Sequence, residues 1–342
     1  MKKIVYILVV VLTGLTSCVN QDWEFPDFDF QSVYFAHQYP VRTITLGEDI
    51  FDTTLDNEWK FRILATTGGV YNNRNDISMD FTIDNSLVEG LVFGASGEEI
   101  VTMPSHYYGI TGENFIIPKG SLSGGVEIQL TEDFFNDPLA IRNTYVIPMV
   151  ISNVVNADTI LSGRTVIENP NPHVIGDWDV TRKDFVLYAV KFVNEWHGIY
   201  LRRGQDVITG KAGHEELSGE FVRREEFVER DELKDVNTVS LTEVELPLTF
   251  QDQTGANIHA TLLLTFNNQG ECTISSASEG VIASGTGSFV KRGEKKSWGN
   301  QDRDALYLDY EIDLPNMHVQ TTDTLVMRNR GLAMEFFTPE VR

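Results

Sequence analysis

Short segments in which apolar and polar residues alternate recur along most of the chain. Met79-Asp80-Phe81-Thr82-Ile83-Asp84 and Val126-Glu127-Ile128-Gln129-Leu130 are the clearest. A period of two sends successive side chains to opposite faces of a strand, so these runs predict half-buried strands. Comparable segments lie at 33–36, 41–46, 60–65, 115–118 and 145–150, with Gly68-Gly69, Asn72-Asn73 and Lys119-Gly120 as turns between strands. Pro148 argues for an edge or a bulge, since it donates nothing to a ladder. Evenly spaced short strands with few helical stretches predict an all-β chain that begins with an Ig-like antiparallel β-sandwich over residues 30–165.

Glu168-Asn169-Pro170-Asn171-Pro172-His173 interrupts this pattern. Proline removes donors and disfavours helix in the residue before it, so residues 166–180 read as a linker. Strands resume over 181–342. Residues 185–193 are strongly apolar, 198–204 end in Gly204, and 221–230 are charged and alternate poorly. Further strands fall at 239–250, 259–266, 274–278, 287–291, 306–312 and 324–329, with Asn267-Asn268-Gln269-Gly270 as a hairpin turn. Roughly eight antiparallel strands predict a lipocalin-like up-and-down barrel, with a second sandwich as the alternative.

The start of the chain is patterned differently. Lys2 and Lys3 precede an apolar run at 4–12, far short of the roughly 20 residues that span a bilayer. That is a secretory signal over 1–17. Leu15-Thr16-Ser17-Cys18 resembles a bacterial lipobox. The resemblance implies that Cys18 becomes the lipidated N-terminal residue, with 18–29 as a tether. Several acyl chains, at about 0.8 kcal/mol per buried CH₂, make release negligible. Gln21, Asp22 and Glu24 resemble the export signal of Bacteroidota lipoproteins, which implies an outer-membrane, lipid-anchored protein exposed on the cell surface.

Charge narrows the partners. A net charge of −23 excludes nucleic acid, whose phosphates need a basic footprint, and is compatible with neutral ligands. The second of the two cysteines, in Glu271-Cys272-Thr273-Ile274, has no partner for a disulfide and reads as a small buried hydrophobe.

Four pieces, in order, resemble one known domain: Met103-Pro104 with Tyr107-Tyr108; Ile117-Pro118-Lys119-Gly120-Ser121; Val126-Glu127-Ile128-Gln129-Leu130-Thr131; and Tyr145-Val146-Ile147-Pro148-Met149-Val150-Ile151. This is the N-terminal β-sandwich of Bacteroidota surface lipoproteins, also present on surface endo-β-N-acetylglucosaminidases. The resemblance implies association with glycan utilisation and carries no catalytic residues. The run from Asn194 through Trp196, Tyr200, Arg202 and Arg203 to Gly204 is similar to a C-terminal domain of unknown function that follows this sandwich.

Candidate chemistry is sparse. Asp304-Ala305-Leu306-Tyr307-Leu308-Asp309-Tyr310-Glu311 resembles the chitinase-class signature, but Ala305 and Tyr307 depart from it, and that signature sits in a (β/α)₈ barrel. Plain strand alternation accounts for the run. Asn300, Asp302, Asp304 and Glu311 match EF-hand spacing, but Ala305 stands where the loop's glycine belongs and the second half reads as strand. The histidines lack zinc-ligand spacing. No catalytic residue, metal ligand or cofactor is assigned. Sugar faces stack on aromatic rings, so the ligand-binding candidates are Trp298 with Asn300, Asp302 and Arg303 in a polar loop, followed by Trp196, Tyr200 and Arg202. The expectation is a non-catalytic surface lipoprotein that captures oligosaccharide beside a TonB-dependent transporter. The alternatives are a glycoside hydrolase of unrecognised type in the C-terminal domain and a structural or adhesive protein.

Overall fold

The computed structural model describes residues 28–342; the signal, Cys18 and most of the tether lie outside the described residues. The first module is built from β1 (Ser32–Tyr34), β2 (Pro40–Thr45), β3 (Lys60–Gly68), β4 (Ile77–Ile83), β5 (Tyr108–Ile117), β6 (Ser123–Leu130), β7 (Tyr145–Val155) and β8 (Phe185–Val193). They form one sheet in the order β1-β3-β6-β5-β4-β7-β8-β2, antiparallel except for the parallel β8–β2 pair. The sheet curls over, so inward residues from both ends meet in one sandwich-like core. Along β3 the alternation is plain: Phe61, Ile63 and Ala65 are buried, Arg62 and Leu64 exposed. A one-turn helix, α1 (Thr54–Asn57), precedes β3. A second, α2 (Glu132–Phe135), inserts Phe134 and Phe135 into the core against Phe192. Pro148 sits inside a central strand, not at an edge; it lies where the β4 ladder stops, with Asp84 N donating to its carbonyl at 3.0 Å.

Two sequence boundaries move. Residues 166–180 are an excursion of the first module, not a linker. Arg164–Thr165 pairs with Trp178–Val180, and His173 between them contacts Tyr39 OH (3.0 Å) and Leu87 O (2.8 Å). The polar, proline-spaced run makes the turns of this excursion. The strand at 185–193, read from sequence as the start of the second module, is β8 of the first. It is hydrogen-bonded to β7 and β2, and its two faces lie in two different clusters: Val186, Val190 and Phe192 in the main core, Phe185, Leu187 and Ala189 against Leu91, Phe93 and Phe337. A strand covered on both sides is apolar throughout, so its sequence does not say which module it joins. The chain end also returns to the first module: Glu335–Phe336 pairs with β2, and Pro339–Val341 with Leu91–Phe93.

The second module comprises β9 (Gly198–Gly210), β10 (Gly219–Arg223), β11 (Glu232–Thr238), β12 (Glu243–Gln251), β13 (Asn257–Phe266), β14 (Glu271–Ser276), β15 (Ile282–Glu294), β16 (Arg303–Asp313) and β17 (Met317–Asn329). Eight of these close an antiparallel barrel, β9-β11-β12-β13-β14-β15-β16-β17 and back to β9; β10 stands outside the ring, paired with the second half of β9. Closure leaves the ring no free edges. Much of the interior is apolar and filled: Leu246, Leu262, Leu264, Leu306, Leu308 and Leu325 are at most 2% exposed. Cys272 lies among them, and burial pushes its thiol up to about 12. On β16, Leu306, Leu308, Tyr310 and Ile312 point in while Asp309 and Glu311 are exposed on the outer wall, as simple alternation requires. The strand also replaces the second half of the EF-hand-like loop. Among the described residues no group of three or more His, Cys, Asp or Glu could hold a metal.

Candidate functional site

The loop and strand residues singled out from sequence occupy three different environments. Trp196 is buried at the barrel end, its ring stacked on Phe266 at 4.1 Å and 8°. Tyr200 is fully buried and donates to Trp196 O at 2.8 Å, and burial raises its phenol well above the ordinary range. Arg202 is 4% exposed and belongs to an internal ion network, so none of these three is available to a ligand at the surface. Arg202 Nε donates to Asp323 Oδ2 (2.7 Å), its Nη1 to Glu232 (3.2 Å) and its Nη2 to Tyr310 OH (3.0 Å). Tyr310 OH donates to the same Asp323 oxygen at 2.7 Å. Arg223 reaches in from β10, pairing with Asp323 Oδ1 at 2.5 Å and with Asp206. Gly204 faces Asp323 across the β9–β17 ladder, where a Cβ would collide with the carboxylate.

The loop ahead of β16 is fastened to itself. Trp298 is half-buried, Nε1 donates to Met327 O at 3.2 Å, and the Arg303 guanidinium lies 3.6 Å over the ring. Asp302 accepts from Lys296 N (3.0 Å) and Lys295 Nζ (3.1 Å). Gly299 and Asn300 hold left-handed backbone, φ 68° and 55°, which shapes the turn. One face of Trp298 is therefore occupied by its own neighbour, and Asn300 is exposed. Of the seven, Arg202, though 4% exposed, borders a small cleft of about 360 Å³ beside β10, and Asp302 and Arg303 line a larger one.

That cleft, about 610 Å³, separates the barrel rim from the loop at 48–51 and is bounded by Glu48, Phe51, Arg292, Asp302, Arg303 and Arg328 among others. It adjoins a second cavity of about 560 Å³ on the first module, lined by His37, Arg42, Arg62, Tyr188 and Phe336, and the two share Asp49, Phe51 and Leu332. Together they form one groove along the module junction. Phe51 is 66% exposed at its midpoint, and Phe336 lies 4.7 Å from the His37 ring. Arg42 is held by Asp56, which also accepts from Thr45 N at 2.9 Å. Sequence reading missed Phe51, His37 and Phe336. The available signal was Ile50-Phe51 inside the acidic run Glu48-Asp49 and Asp52, an apolar pair with no strand to join.

The junction beneath the groove is fixed by Arg330, 4% exposed. Its guanidinium donates to four carbonyls: His197 O (2.7 Å), Asn194 O (2.6 Å), Leu46 O (3.0 Å) and Glu48 O (3.1 Å). Gly47, at φ 86°, allows the close approach; a Cβ there would meet Glu195 Cβ at 2.6 Å. His197 is half-buried beside this clamp and accepts from Thr238 N at 3.2 Å. Burial first, then the Arg330 and Lys191 charges, lower it from 6.5 to about 4. The unfolded chain therefore binds the proton more readily between pH 6.5 and 4, and stability rises with pH across that window. Lowering the pH from 7 to 5 is expected to remove about 2 kcal/mol more stability from the wild type than from His197→Gln, read as urea midpoints. Equal losses in the two proteins would show that His197 titrates normally.

A family model for an N-terminal domain matches residues 28–158, and DUF5627, a domain of unknown function, matches residues 195–331. The crystal structure of a protein of unknown function from Bacteroides ovatus is 44% identical to this chain, covers 92% of it and 100% of that chain, and superposes with a TM-score of 0.88. This chain belongs to the same family. Its DUF5627 domain spans the barrel and ends just after Arg330, so the family boundary falls after β8, where the structure places it. Two other Bacteroides ovatus structures are similar at lower levels: one of unknown function (10% identity, 90% and 100% coverage, TM-score 0.41) and a multidomain protein including DUF1735 (9%, 90% and 100%, 0.39). At these scores they bear on neither fold nor function. No curated protein matches the chain.

Proposed function

We propose that this protein is a non-catalytic, lipid-anchored surface protein that binds oligosaccharide in the groove between its two modules. The observation that supports this most is the pairing of exposed aromatic faces, Phe51 and the Phe336–His37 pair, with guanidinium groups along one open cleft. Pyranose rings present C–H faces that stack on aromatic side chains, while their hydroxyls pair with planar polar groups. The groove's carboxylates are engaged with protein donors, Glu48 by Arg292 and Asp302 by Lys295, which suits holding a ligand more than moving a proton. Anchoring through Cys18 at the outer membrane, beside a TonB-dependent transporter, would place this groove where incoming glycans arrive.

The test is a glycan array probed with the full chain in detergent. A defined subset of oligosaccharides should bind, and Phe51→Ala should weaken that binding by about three- to tenfold, the range expected for one aromatic contact. Binding of no sugar above background, or binding indifferent to both Phe51→Ala and Phe336→Ala, would overturn the reading. The anchor is tested separately by palmitate labelling of wild type and Cys18→Ala.

A further inference from the structure

We propose that the ligand of this groove is anionic: an oligosaccharide that carries carboxylate or sulfate groups. The proposal rests on the reading of the groove as a saccharide site and specifies the class. The chain as a whole carries −23, yet the two joined cavities are lined by six arginines, Arg42, Arg62, Arg292, Arg303, Arg328 and Arg330, against five carboxylates. No lysine lines either cavity. The planar guanidinium fork matches the paired oxygens of a carboxylate or sulfate, which the point charge of an ammonium does not.

The carboxylates are already occupied. Glu335 takes Lys191 Nζ at 2.5 Å and Asn143 Nδ2 at 2.7 Å. Asp302 holds Lys295 and Lys296 N, Glu48 holds the Arg292 guanidinium at 3.3 Å, and Asp304 accepts from Arg292 N at 2.7 Å. Asp49 accepts from Ile50 N at 2.6 Å.

The guanidiniums are not matched in the same way. Arg42 is neutralised by Asp56 and Arg292 by Glu48. Arg330 is held by four carbonyls, and among the described residues no carboxylate touches it. Arg303 lies over the Trp298 ring. Arg62 has 60% of its side chain exposed, with Glu127 at 3.7 Å as its paired carboxylate. Arg328 is exposed, and its side chain has no hydrogen bond or ion pair among the described residues. The groove therefore holds a surplus of positive charge within an acidic molecule. Repulsion from the distant carboxylates is screened beyond about 10 Å at 0.1 M ionic strength, so a bound anion responds mainly to these local arginines.

The experiment is calorimetric titration of the full chain in detergent with three size-matched oligosaccharide sets: uronate-bearing, sulfated and uncharged. At least one anionic set should bind roughly tenfold or more tightly than the uncharged set, and weaken at about 0.5 M salt. Arg62→Ala and Arg328→Ala should each lower that affinity by roughly tenfold, while Arg74→Ala, exposed elsewhere on the first module, should not change it. Both arginines are exposed, so folding is not at stake, and the two anionic arms separate carboxylate from sulfate. Uncharged sugars binding as well as the anionic ones would overturn the anionic class and leave the saccharide reading standing. Anionic binding untouched by both substitutions would overturn this groove as the place. Binding of none of the three sets would overturn both readings.

Discussion

Asp323→Ala is expected to lower stability by about 3–5 kcal/mol, the loss typical when one partner of a buried ion network is removed. The Asp323 side chain is 0% exposed and accepts from three donors, Arg202 Nε, Tyr310 OH and Arg223 Nη2. Its loss would leave Arg202, itself 4% exposed, with Glu232 as its single carboxylate contact at 3.2 Å. An internal cation with so few partners is penalised far more than the same group in water. The loss should appear in the urea midpoint with an unchanged slope, since the same surface is still exposed on unfolding. A second variant separates charge from packing. Arg202→Met, Asp323→Leu and Arg223→Met together remove the charges around Asp323 and leave Asp206 with the Thr321 hydroxyl at 2.7 Å, and apolar replacement of such networks is often neutral or stabilising. The triple variant should therefore be more stable than Asp323→Ala alone. A single variant within 1 kcal/mol of wild type (roughly the size of a surface pair) would mean that the network is solvated and contributes little.

This network also shows what the sequence could and could not convey. The run that resembles a C-terminal domain signature contains Trp196, Tyr200, Arg202 and Gly204, and all four act inside the barrel. Arg202 reads as a surface cation because its partner Asp323 is 121 residues away, and no local spacing reports a pair across a closed ring. Gly204 looks like the end of a strand, yet β9 continues to Gly210 and the glycine makes room for a carboxylate. Where a pattern is local, the sequence was sufficient. The period-two alternation of β3, β6 and β16 agrees with their inward faces, and the count of short strands over 181–342, although it took in β8, was enough to predict a barrel. Where a feature depends on what covers it from outside, the pattern fell short. Strand β8 is apolar on both faces because it is central, and so it passed as the first strand of the next module. The groove is the extreme case: its walls come from β2, β3, β8, the rim loop before β16 and the segment after β17, which share no local motif.

Arg330→Leu is expected to destabilise the protein by about 3–5 kcal/mol and to loosen the two modules from one another. The reason lies in where its donors go. Leu46 and Glu48 lie in the segment after β2 of the first module, while Asn194 and His197 bracket the connection into the barrel, so one guanidinium binds four carbonyls from both sides of the junction. A buried carbonyl left without a donor costs about 1–3 kcal/mol, and water entering the gap would recover only part of that. Among the described residues Arg330 gains no carboxylate contact in return for burial; burial is the chief cause that lowers its pKa, and the carbonyl dipoles hold the charge. Arg330→Lys should fall between wild type and Arg330→Leu, because an ammonium has three donors and no planar fork. Calorimetry distinguishes local loss from uncoupling. Wild type should melt in one transition, whereas Arg330→Leu should show the barrel and the curled sheet melting apart, since cooperativity between modules depends on their shared interface. The groove crosses the same junction, so its two cavities should lose register and any ligand spanning both should bind less tightly. A single, unshifted transition in Arg330→Leu would show that the returning C-terminal strands alone, Glu335–Phe336 and Pro339–Val341, are enough to hold the modules together.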